Sequence, residues 1–204
     1  MSREIPDIVS ARVFPPAGGS YPVRDYRPSP IDFAYMEMAL EEAEIALELG
    51  NAPVGVVIAN EKGDFWTGHS DEHSSRRLNG HAERNAIEAF NRDTGLLNLV
   101  GVSMYSTFVP CVGCAHAIDQ GELSALYYAA DRNDVINATS DDQGQGGAVR
   151  GRHINMPEIL HDSPRTFLVI EGLRKATAVE KFVRKHRRDE AERLRLLTNR
   201  RKRS

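Results

Sequence analysis

The chain has 204 residues, 41% of them hydrophobic, which is enough to build the core of a single domain with extensions. Its formal net charge is only −3. It contains no apolar run long enough to cross a membrane and no amino-terminal signal segment in which charged residues precede apolar ones. We therefore expect a cytoplasmic protein with no membrane partner. Both cysteines lie in one short motif, which leaves none for a disulfide framework and favours a reducing compartment.

The small net charge hides an uneven distribution along the chain. Residues 1–173 hold 13 Lys and Arg against 25 Asp and Glu, whereas residues 174–204 hold 13 against 4. A basic segment behind an acidic body is weak evidence for nucleic acid binding. A solvated helical terminus with many ion pairs explains the same charges, so both interpretations stay open.

The first 30 residues differ in composition from the rest of the chain. They contain six prolines and the pair Gly18-Gly19 without a sustained apolar period, which predicts an extended arm over residues 1–30. We expect the folded domain to cover residues 31–190 and a basic carboxyl-terminal tail to cover residues 191–204.

The first predicted element is an amphipathic helix over residues 32–49. An apolar stripe that includes Met36, Leu40 and Leu47 recurs at helical spacing, and Gly50 follows as a helix-ending residue. The opposite face carries an acid stripe that we expect to be solvated, formed by Glu37, Glu41, Glu44 and Glu48. Two strands follow at residues 54–59 and 65–68, joined by the turn-like segment 60–63.

Helices and strands continue to alternate along the rest of the chain. We predict a helix over residues 80–91, a strand over 99–106, a helix over 111–120, strands over 125–129 and 166–170, and a final helix from Leu173. The segment between Asp131 and Arg165 is too polar and glycine-rich to be core, and either a lid or a plain loop fits it. Alternation of this kind predicts a sheet layered by helices.

Two short motifs carry the chemistry of this chain. The first is His81-Ala82-Glu83 and the second, after 26 intervening residues, is Pro110-Cys111-Val112-Gly113-Cys114. Zinc favours thiolate and imidazole ligands, and a hydrolytic zinc site uses three protein ligands with the fourth position left for water. We therefore predict one Zn2+ ion bound by His81, Cys111 and Cys114, with Glu83 as the adjacent proton carrier. A structural zinc site or a redox pair is the competing interpretation.

The spacing within the motifs predicts how these side chains converge. Cys111 and Cys114 are three residues apart, so they share one face in the first turn of a helix, where the positive helix end favours thiolates. His81 and Glu83 are two apart and would diverge in a regular helix. We therefore expect the metal to lie between two helix starts, with Asn79 as the cap of the helix that carries the histidine.

The chain resembles the cytidine and deoxycytidylate deaminase superfamily, most closely the branch that contains tRNA adenosine, guanine and cytosine deaminases. Besides the zinc motifs, the similarity rests on residues 52–58, which match the family's Pro-Val-Gly strand, and on Thr107 and Pro110 before the cysteines, and it covers about residues 31–190. The resemblance implies an α/β fold of the three-layer α/β/α cytidine-deaminase-like class with a mixed five-stranded sheet. It also implies hydrolytic deamination and a homodimer.

The resemblance further implies which residues line the substrate pocket, namely Val54, Ser70, Ala82, Val109 and Pro110. Two of them depart from the branch. Ser70 lies eleven residues before the zinc histidine, where an asparagine commonly holds the base or ribose, and Val109 replaces a frequent glutamate. Both changes remove a polar group from a position beside the pocket.

Three functions are open at this point. The first is a hydrolase that deaminates cyclic amidines, converting an amino-bearing ring carbon of a nucleobase, nucleoside or related small heterocycle to a carbonyl with release of ammonia. The second is a tRNA-specific adenosine deaminase, which would bind tRNA through the basic carboxyl-terminal segment. The third is a catalytically silent zinc-binding scaffold, which the three-ligand set and Glu83 disfavour because structural zinc sites normally have four protein ligands.

Overall fold

The computed structural model describes residues 9–15, 19–140 and 165–201. In these residues seven strands and five helices follow one another along the chain. Their bounds, in chain order, are β1 Ser10–Phe14, β2 Tyr21–Pro22, α1 Pro30–Glu48, β3 Gly55–Asn60, β4 Phe65–His69, α2 Ala82–Thr94, β5 Val102–Phe108, α3 Val112–Gln120, β6 Ala125–Ala130, α4 Arg132–Thr139, β7 Phe167–Glu171 and α5 Lys175–Arg201. None of the helices in these ranges is long and apolar enough to cross a membrane.

The strands of the described ranges form one mixed sheet in the order β2-β1-β7-β6-β5-β3-β4. β6 runs parallel to both β5 and β7, and the other neighbouring pairs are antiparallel. The predicted five-stranded mixed sheet is confirmed as β7-β6-β5-β3-β4. It is widened to seven strands by β1 and β2.

The two additional strands come from the segment that the sequence predicted to be an extended arm. β1 pairs antiparallel with β7, so that Ser10 lies opposite Glu171 and Phe14 opposite Phe167. Ala11 and Phe14 are buried and extend the core of the sheet. Residues 10–14 therefore belong to the sheet, although the prolines around them obscure the short apolar alternation. The domain bounds at residues 30 and 190 stay predictions.

The sheet lies between two layers of helices, as the predicted fold class requires. Along β3, Val56 and Ile58 face a core shared with α2 and α3, while Val57 and Ala59 face a core shared with α1 and the start of α5. Alternate residues of a strand point to opposite faces, so a strand that is buried on both faces reads as a continuous apolar run. This explains the unbroken apolar sequence of β3 and confirms the three-layer α/β/α architecture.

Helix α1 begins and packs for reasons that are visible in the sequence. Ser29 and Asp32 form a capping box, in which each side chain accepts a hydrogen bond from the backbone N–H of the other, and Pro30 is the first helical residue. The helix approaches the sheet closely at Gly55, where a Cβ atom would lie 2.1 Å from the carbonyl oxygen of Ala39. The absence of a side chain at Gly55 therefore sets the distance between α1 and the start of β3.

Helix α4 was not predicted, because the segment from Asp131 to Arg165 was expected to be a lid or a loop. The helix begins with a capping box between Asp131 and Asp134, and Val135 is fully buried. Eight residues with few apolar side chains give too weak a period to be detected. The glycine-rich part of the segment, residues 141–147, lies outside the described residues, so the lid stays a hypothesis.

The final helix extends beyond the part that packs on the sheet. Ala178 and Phe182 are buried, whereas residues 187–196 are all exposed. The predicted basic tail over residues 191–204 is helical as far as Arg201, where α5 ends. Helix α5 therefore packs through its first half and presents its second half to solvent.

Candidate metal centre and active site

Two helix starts meet beyond the carboxyl end of β5, as the sequence predicted. His81 is the N-cap of α2 and Cys111 is the N-cap of α3, and both have extended backbone angles. Cys114 lies in the first turn of α3. Because His81 precedes its helix, the divergence of residues two apart inside a helix does not apply to His81 and Glu83.

The cap of α2 differs from the prediction. Asn79 was expected to cap this helix, but His81 occupies that position and makes no side-chain capping hydrogen bond. Residues 79–80 belong to the preceding loop, in which the Gly80 carbonyl accepts a hydrogen bond from the Asp71 N–H at 2.8 Å. Because the imidazole of His81 is not used for capping, it is free to bind a metal ion.

The three predicted ligands have the spacing that a tetrahedral zinc ion needs. The Nδ1 atom of His81 lies 3.6 Å from the Sγ atom of Cys111 and 3.6 Å from that of Cys114. The three ligand atoms all lie within 4.8 Å of one another. Zinc bonds of about 2.3 Å to sulfur and about 2.1 Å to nitrogen at a tetrahedral angle require a nitrogen–sulfur distance of about 3.6 Å. The residues therefore fit a zinc ion bound through Nδ1.

The protonation of these side chains also favours a cation. Hydrogen bonding from the Cys114 thiol lowers the pKa of Cys111 to about 3, and the same hydrogen bond raises the pKa of Cys114. Hydrogen bonding with Cys111 raises the pKa of His81 to about 9. A thiolate is thus stabilised at neutral pH beside two positive helix ends, and a divalent ion would replace the protons on the other two groups.

Glu83 lies in the first turn of α2 beside the cysteines. It is 3% exposed, and its carboxyl group contacts the Cys114 thiol. Burial raises the pKa of Glu83 above its usual range. A buried carboxyl group that holds a proton more readily than usual is suited to general acid and base catalysis. Its role as the proton carrier stays a prediction.

The residues predicted to line the substrate pocket fall into two groups. Ser70 is buried and donates a hydrogen bond from its N–H to the Val54 carbonyl at 2.9 Å. Ala82 and Pro110 lie within the two metal-binding motifs, and Val109 directly precedes the second one. Ala82 is fully buried, backbone included. The contact of all five residues with a substrate stays a prediction.

The hydroxyl group of Thr107 ties these two groups together. It accepts a hydrogen bond from the Gly55 N–H at 3.0 Å and donates one to the Pro53 carbonyl at 3.5 Å. Val54 directly precedes Gly55, and Val109 lies two residues after Thr107. Both valines pack on the core between the sheet and helices α2 and α3. The end of β5 and the start of β3 are therefore held side by side next to the ligands.

Two contacts of the site were not anticipated from the sequence. The Nε2 atom of His81 lies 3.4 Å from the Oε1 atom of Glu72, in the loop between β4 and α2. Arg84, in the first turn of α2, donates a hydrogen bond to the Gly113 carbonyl of α3 at 3.1 Å and links the two helix starts. Neither contact has a sequence signal, because each depends on how separate elements approach one another in the folded chain.

Comparison with known proteins gives the same assignment as the geometry. The sequence model described as the cytidine and deoxycytidylate deaminase zinc-binding region matches residues 30–130. The chain is 31% identical over 106 residues to a tRNA-specific adenosine deaminase of Streptococcus pyogenes serotype M18, a match that covers 52% of this chain and 67% of that protein. It is 27% identical over 158 residues to the protein of the same name from Agrobacterium fabrum, covering 76% and 96%. The match spans 62% of the length of two serotype M3 relatives.

Solved structures show the same fold. A structure of guanine deaminase from Nitrosomonas europaea superimposes with a TM-score of 0.62 at 18% sequence identity, covering 78% of this chain and 86% of that one. The structure of a diaminohydroxyphosphoribosylaminopyrimidine deaminase/5-amino-6-(5-phosphoribosylamino)uracil reductase from Thermotoga maritima superimposes with a TM-score of 0.51 at 21% identity, covering 74% of this chain and 39% of that one. At this level of identity, the likeness supports the fold alone.

The matched region begins at Pro30, the first residue of α1, and ends at Ala130, the last residue of β6. It therefore contains both helix starts and all three predicted ligands. The family model is that of a zinc-binding region, and a donor set of one imidazole and two thiolates suits zinc, so zinc is the metal of this site. The chain belongs to the cytidine and deoxycytidylate deaminase zinc-binding family.

Proposed function

We propose that this protein is a zinc-dependent hydrolase that converts an amino-bearing ring carbon of a nucleobase-like heterocycle to a carbonyl and releases ammonia. The observation that carries the proposal is the distance of 3.6 Å from His81 Nδ1 to each thiol, with the buried carboxyl group of Glu83 next to them. Three protein ligands leave a fourth position for water, as a hydrolytic zinc site requires. The thiols must stay reduced, which supports the cytoplasmic location expected from the sequence.

The reaction needs an activated water molecule and a proton carrier. When bound, zinc lowers the pKa of water from about 16 towards about 7, so that attack on carbon proceeds at neutral pH. Glu83 accepts one proton from the attacking water and delivers it to the ring nitrogen next to the reacting carbon. The same carboxyl group then passes the second proton to the departing amino group, which leaves as ammonia. The ring keeps the oxygen as a carbonyl and the first proton on nitrogen.

We propose a free base, a nucleoside or a related small heterocycle as the substrate. Residues 1–173 hold 25 acidic against 13 basic residues, which disfavours a polyanionic substrate. The basic charge of α5 is also partly neutralised within the molecule, because Lys181 and Arg184 bind Glu44 of α1. Arg188 donates to the Leu47 carbonyl at 3.2 Å. These cations hold the helix in place, so they are less available to bind phosphate.

A second candidate substrate is the wobble adenosine of tRNA. The curated relatives that match at 27% to 32% identity are named tRNA-specific adenosine deaminases. Arg193 and Arg195 are exposed on the second half of α5. The sequence continues with four further cations at residues 200–203. A basic helical segment of this kind is suited to contact the phosphates of RNA.

The experiment that tests the function is a screen for ammonia release by the purified zinc-loaded protein. The substrates are cytosine, guanine, adenine, their nucleosides, pterins and an anticodon stem-loop, and the control is the Glu83→Gln variant, which should be inactive on all of them. Turnover of at least one free heterocycle supports the first substrate class. Turnover of the stem-loop alone assigns the protein to tRNA, and no turnover by a fully zinc-loaded protein on any substrate identifies a silent scaffold.

We also propose that the protein is a homodimer, as its resemblance to the family implies. Leu96, Leu97 and Val100 are exposed at 52%, 87% and 62% in the loop that follows α2. Apolar side chains clustered on a surface are typical of association sites. Light scattering at micromolar concentration should give twice the mass of the chain, and a strictly monomeric mass contradicts the proposal.

A further inference from the structure

The imidazole of His81 is approached on both of its nitrogen atoms. Nδ1 faces the two thiols at 3.6 Å each, and Nε2 lies 3.4 Å from the Oε1 atom of Glu72. The side chains of His81 and Glu72 are 31% and 33% exposed, so the pair lies at the edge of the site and is partly shielded from water. Glu72 is thus on the opposite side of the ring from the metal position.

The backbone of the loop between β4 and α2 brings Glu72 to this position. The Asp71 N–H donates to the Gly80 carbonyl at 2.8 Å, which closes the loop at its two ends. A Cβ atom at Gly80 would lie 2.1 Å from the Asp71 Oδ1 atom and 2.9 Å from the Glu72 nitrogen. The loop can therefore close only if residue 80 has no side chain, and closure places Glu72 beside His81.

Two asparagines hold the loop in the closed arrangement. Asn51 is fully buried and accepts hydrogen bonds from the His73 and Ser74 N–H groups at 2.9 and 3.0 Å. Asn85, on α2, donates to the Asp71 Oδ1 atom at 3.1 Å. Glu72 lies between these two anchors, so its backbone is fixed on both sides.

We propose that Glu72 is a positioning residue that orients His81 for the metal ion, an inference that rests on the zinc site proposed above. A neutral imidazole carries one N–H group, and a carboxylate facing Nε2 favours the tautomer with the proton on that atom. The lone pair of Nδ1 is then directed to the metal position between the cysteines. Metal-binding histidines generally donate a hydrogen bond from the N–H of their second ring nitrogen to such a partner. Mutation of the partner weakens metal binding about 10- to 100-fold.

The test measures zinc affinity rather than turnover. Zinc dissociation constants of the wild-type protein, Glu72→Ala and Glu72→Gln are determined by competition with a chromophoric chelator. We expect Glu72→Ala to bind zinc about 10- to 100-fold more weakly. Glu72→Gln should show a smaller loss of at least about threefold, because its amide oxygen can take the same position facing Nε2 but carries no charge. Replacement of zinc by cobalt gives an absorption spectrum that reports the ligand geometry, and it should change in Glu72→Ala.

The matched control is Glu88→Gln. Glu88 lies on α2 and is 3.7 Å from Arg77, with a side chain that is 62% exposed, so the same loss of charge occurs near the site without contact with His81. Its zinc affinity should stay within twofold of wild type. If both Glu72 variants behave like Glu88→Gln, the inference is wrong. Should Glu72→Ala fail to fold, the isosteric Glu72→Gln variant decides the question alone.

A further variant, Cys111→Ala, distinguishes a wrong role for Glu72 from a wrong zinc site. If Cys111→Ala retains its zinc, the metal site itself is wrong, whatever Glu72 does. If Cys111→Ala loses zinc while the Glu72 variants bind zinc normally, the metal site is supported and the positioning role of Glu72 is wrong. A purely structural role for Glu72 would lower the thermal stability of the metal-free protein, whereas a positioning role lowers zinc affinity and leaves the unfolding temperature of the metal-free protein unchanged.

Discussion

Arg184 of α5 donates two parallel hydrogen bonds to the carboxylate of Glu44 on α1, from Nη1 to Oε2 at 2.9 Å and from Nη2 to Oε1 at 2.8 Å. Lys181 donates to the same carboxylate at 2.6 Å. Glu44 belongs to the stripe of glutamates that the sequence predicted to be solvated, yet it binds the carboxyl-terminal helix to the body of the protein. A bidentate guanidinium–carboxylate pair fixes direction as well as distance, so Glu44 helps to orient α5 against α1.

We predict that Glu44→Gln lowers the free energy of unfolding by about 0.5 to 1 kcal/mol at neutral pH, the scale of a partly exposed ion-pair network. The hydrogen bonds from Lys181, and then from Arg184, hold the pKa of Glu44 below its usual range. A pKa lowered by folding contributes stability above the unfolded value of about 4.3 and loses it as the pH falls through the folded value. Urea unfolding should show the difference between the two proteins narrowing progressively below that pH.

The control for this pH dependence is Glu41→Gln, an exposed glutamate three residues away on the same helix. Its free energy of unfolding should stay within about 0.5 kcal/mol of wild type, as for an ordinary surface substitution. A constant difference between Glu44→Gln and wild type across the acid range would show that ionisation of Glu44 is not the cause.

The second prediction is that Cys111→Ala abolishes zinc binding. The purified wild-type protein should contain one zinc ion per chain, because three ligands of suitable spacing converge on one point. Elemental analysis of the variant should show almost none, since two remaining ligands hold zinc weakly. His116→Ala is the control, because His116 lies on the same helix and is exposed away from the cluster. Loss of zinc from both variants alike would point to a general effect on α3.

The third prediction separates zinc binding from proton transfer. Glu83→Gln keeps the size of the side chain and its hydrogen bonding but removes the basic carboxylate. Zinc content should persist, while the turnover number falls by a factor of about 100 or more, the scale of general acid and base catalysis. Zinc analysis and ammonia release measured on the same sample check both parts. Loss of zinc from this variant would make Glu83 a ligand or a structural residue.

The parts of the molecule that the sequence predicted correctly are those with local signals. His81, Cys111 and Cys114 lie in two short motifs, and both motifs open helices, so their convergence follows from spacing and helix geometry. The five central strands and the helices α1, α2, α3 and α5 follow from apolar runs and turn residues. These signals depend on residues close together in the chain.

The features that the sequence did not predict depend on distant contacts. β1 is a strand because Ser10–Phe14 pairs with β7, more than 150 residues later in the chain, and no local pattern among the prolines indicates that partner. Glu72 faces His81 only because the Asp71 and Gly80 backbones close the loop. Asparagine is a favoured N-cap residue, but Asn79 lies in the loop before α2, and His81 occupies the cap position.

The fourth prediction concerns Gly68, which lets α2 approach β4. A Cβ atom at this position would lie 2.5 Å from the Ala86 nitrogen and 2.6 Å from the Ala82 carbonyl oxygen. Gly68→Ala therefore has to move the helix that carries His81, and it should cost about 3 kcal/mol or more in unfolding free energy and weaken zinc binding. Thr67→Ala, the neighbouring strand residue, should cost about 1 kcal/mol or less. Equal stability of the two variants would show that the helix adapts without strain.

The fifth prediction is that the end of the basic tail is separable from the chemistry. Removing residues 198–204 deletes Arg200, Arg201, Lys202 and Arg203, and it begins beyond the exposed stretch 187–196 of α5. No buried residue of the described core is lost, so a deaminase of small heterocycles should keep its kcat/KM within a few-fold. Steady-state kinetics on the heterocycle found in the ammonia screen measure this.

A tRNA deaminase should respond differently to the same truncation. Each lost phosphate contact removes about 0.7 to 0.9 from the slope of log affinity against log salt concentration, so both the affinity for tRNA and its salt dependence should fall. Arg193→Gln combined with Arg195→Gln is the matched variant, because it removes exposed charges from α5 while keeping the helix at full length. If both variants reduce a steep salt slope, and the intact protein deaminates the anticodon stem-loop, then α5 binds RNA and the small-heterocycle proposal is wrong. A shallow slope that neither variant changes supports the small substrate, because phosphate contacts from α5 would make the affinity depend steeply on salt.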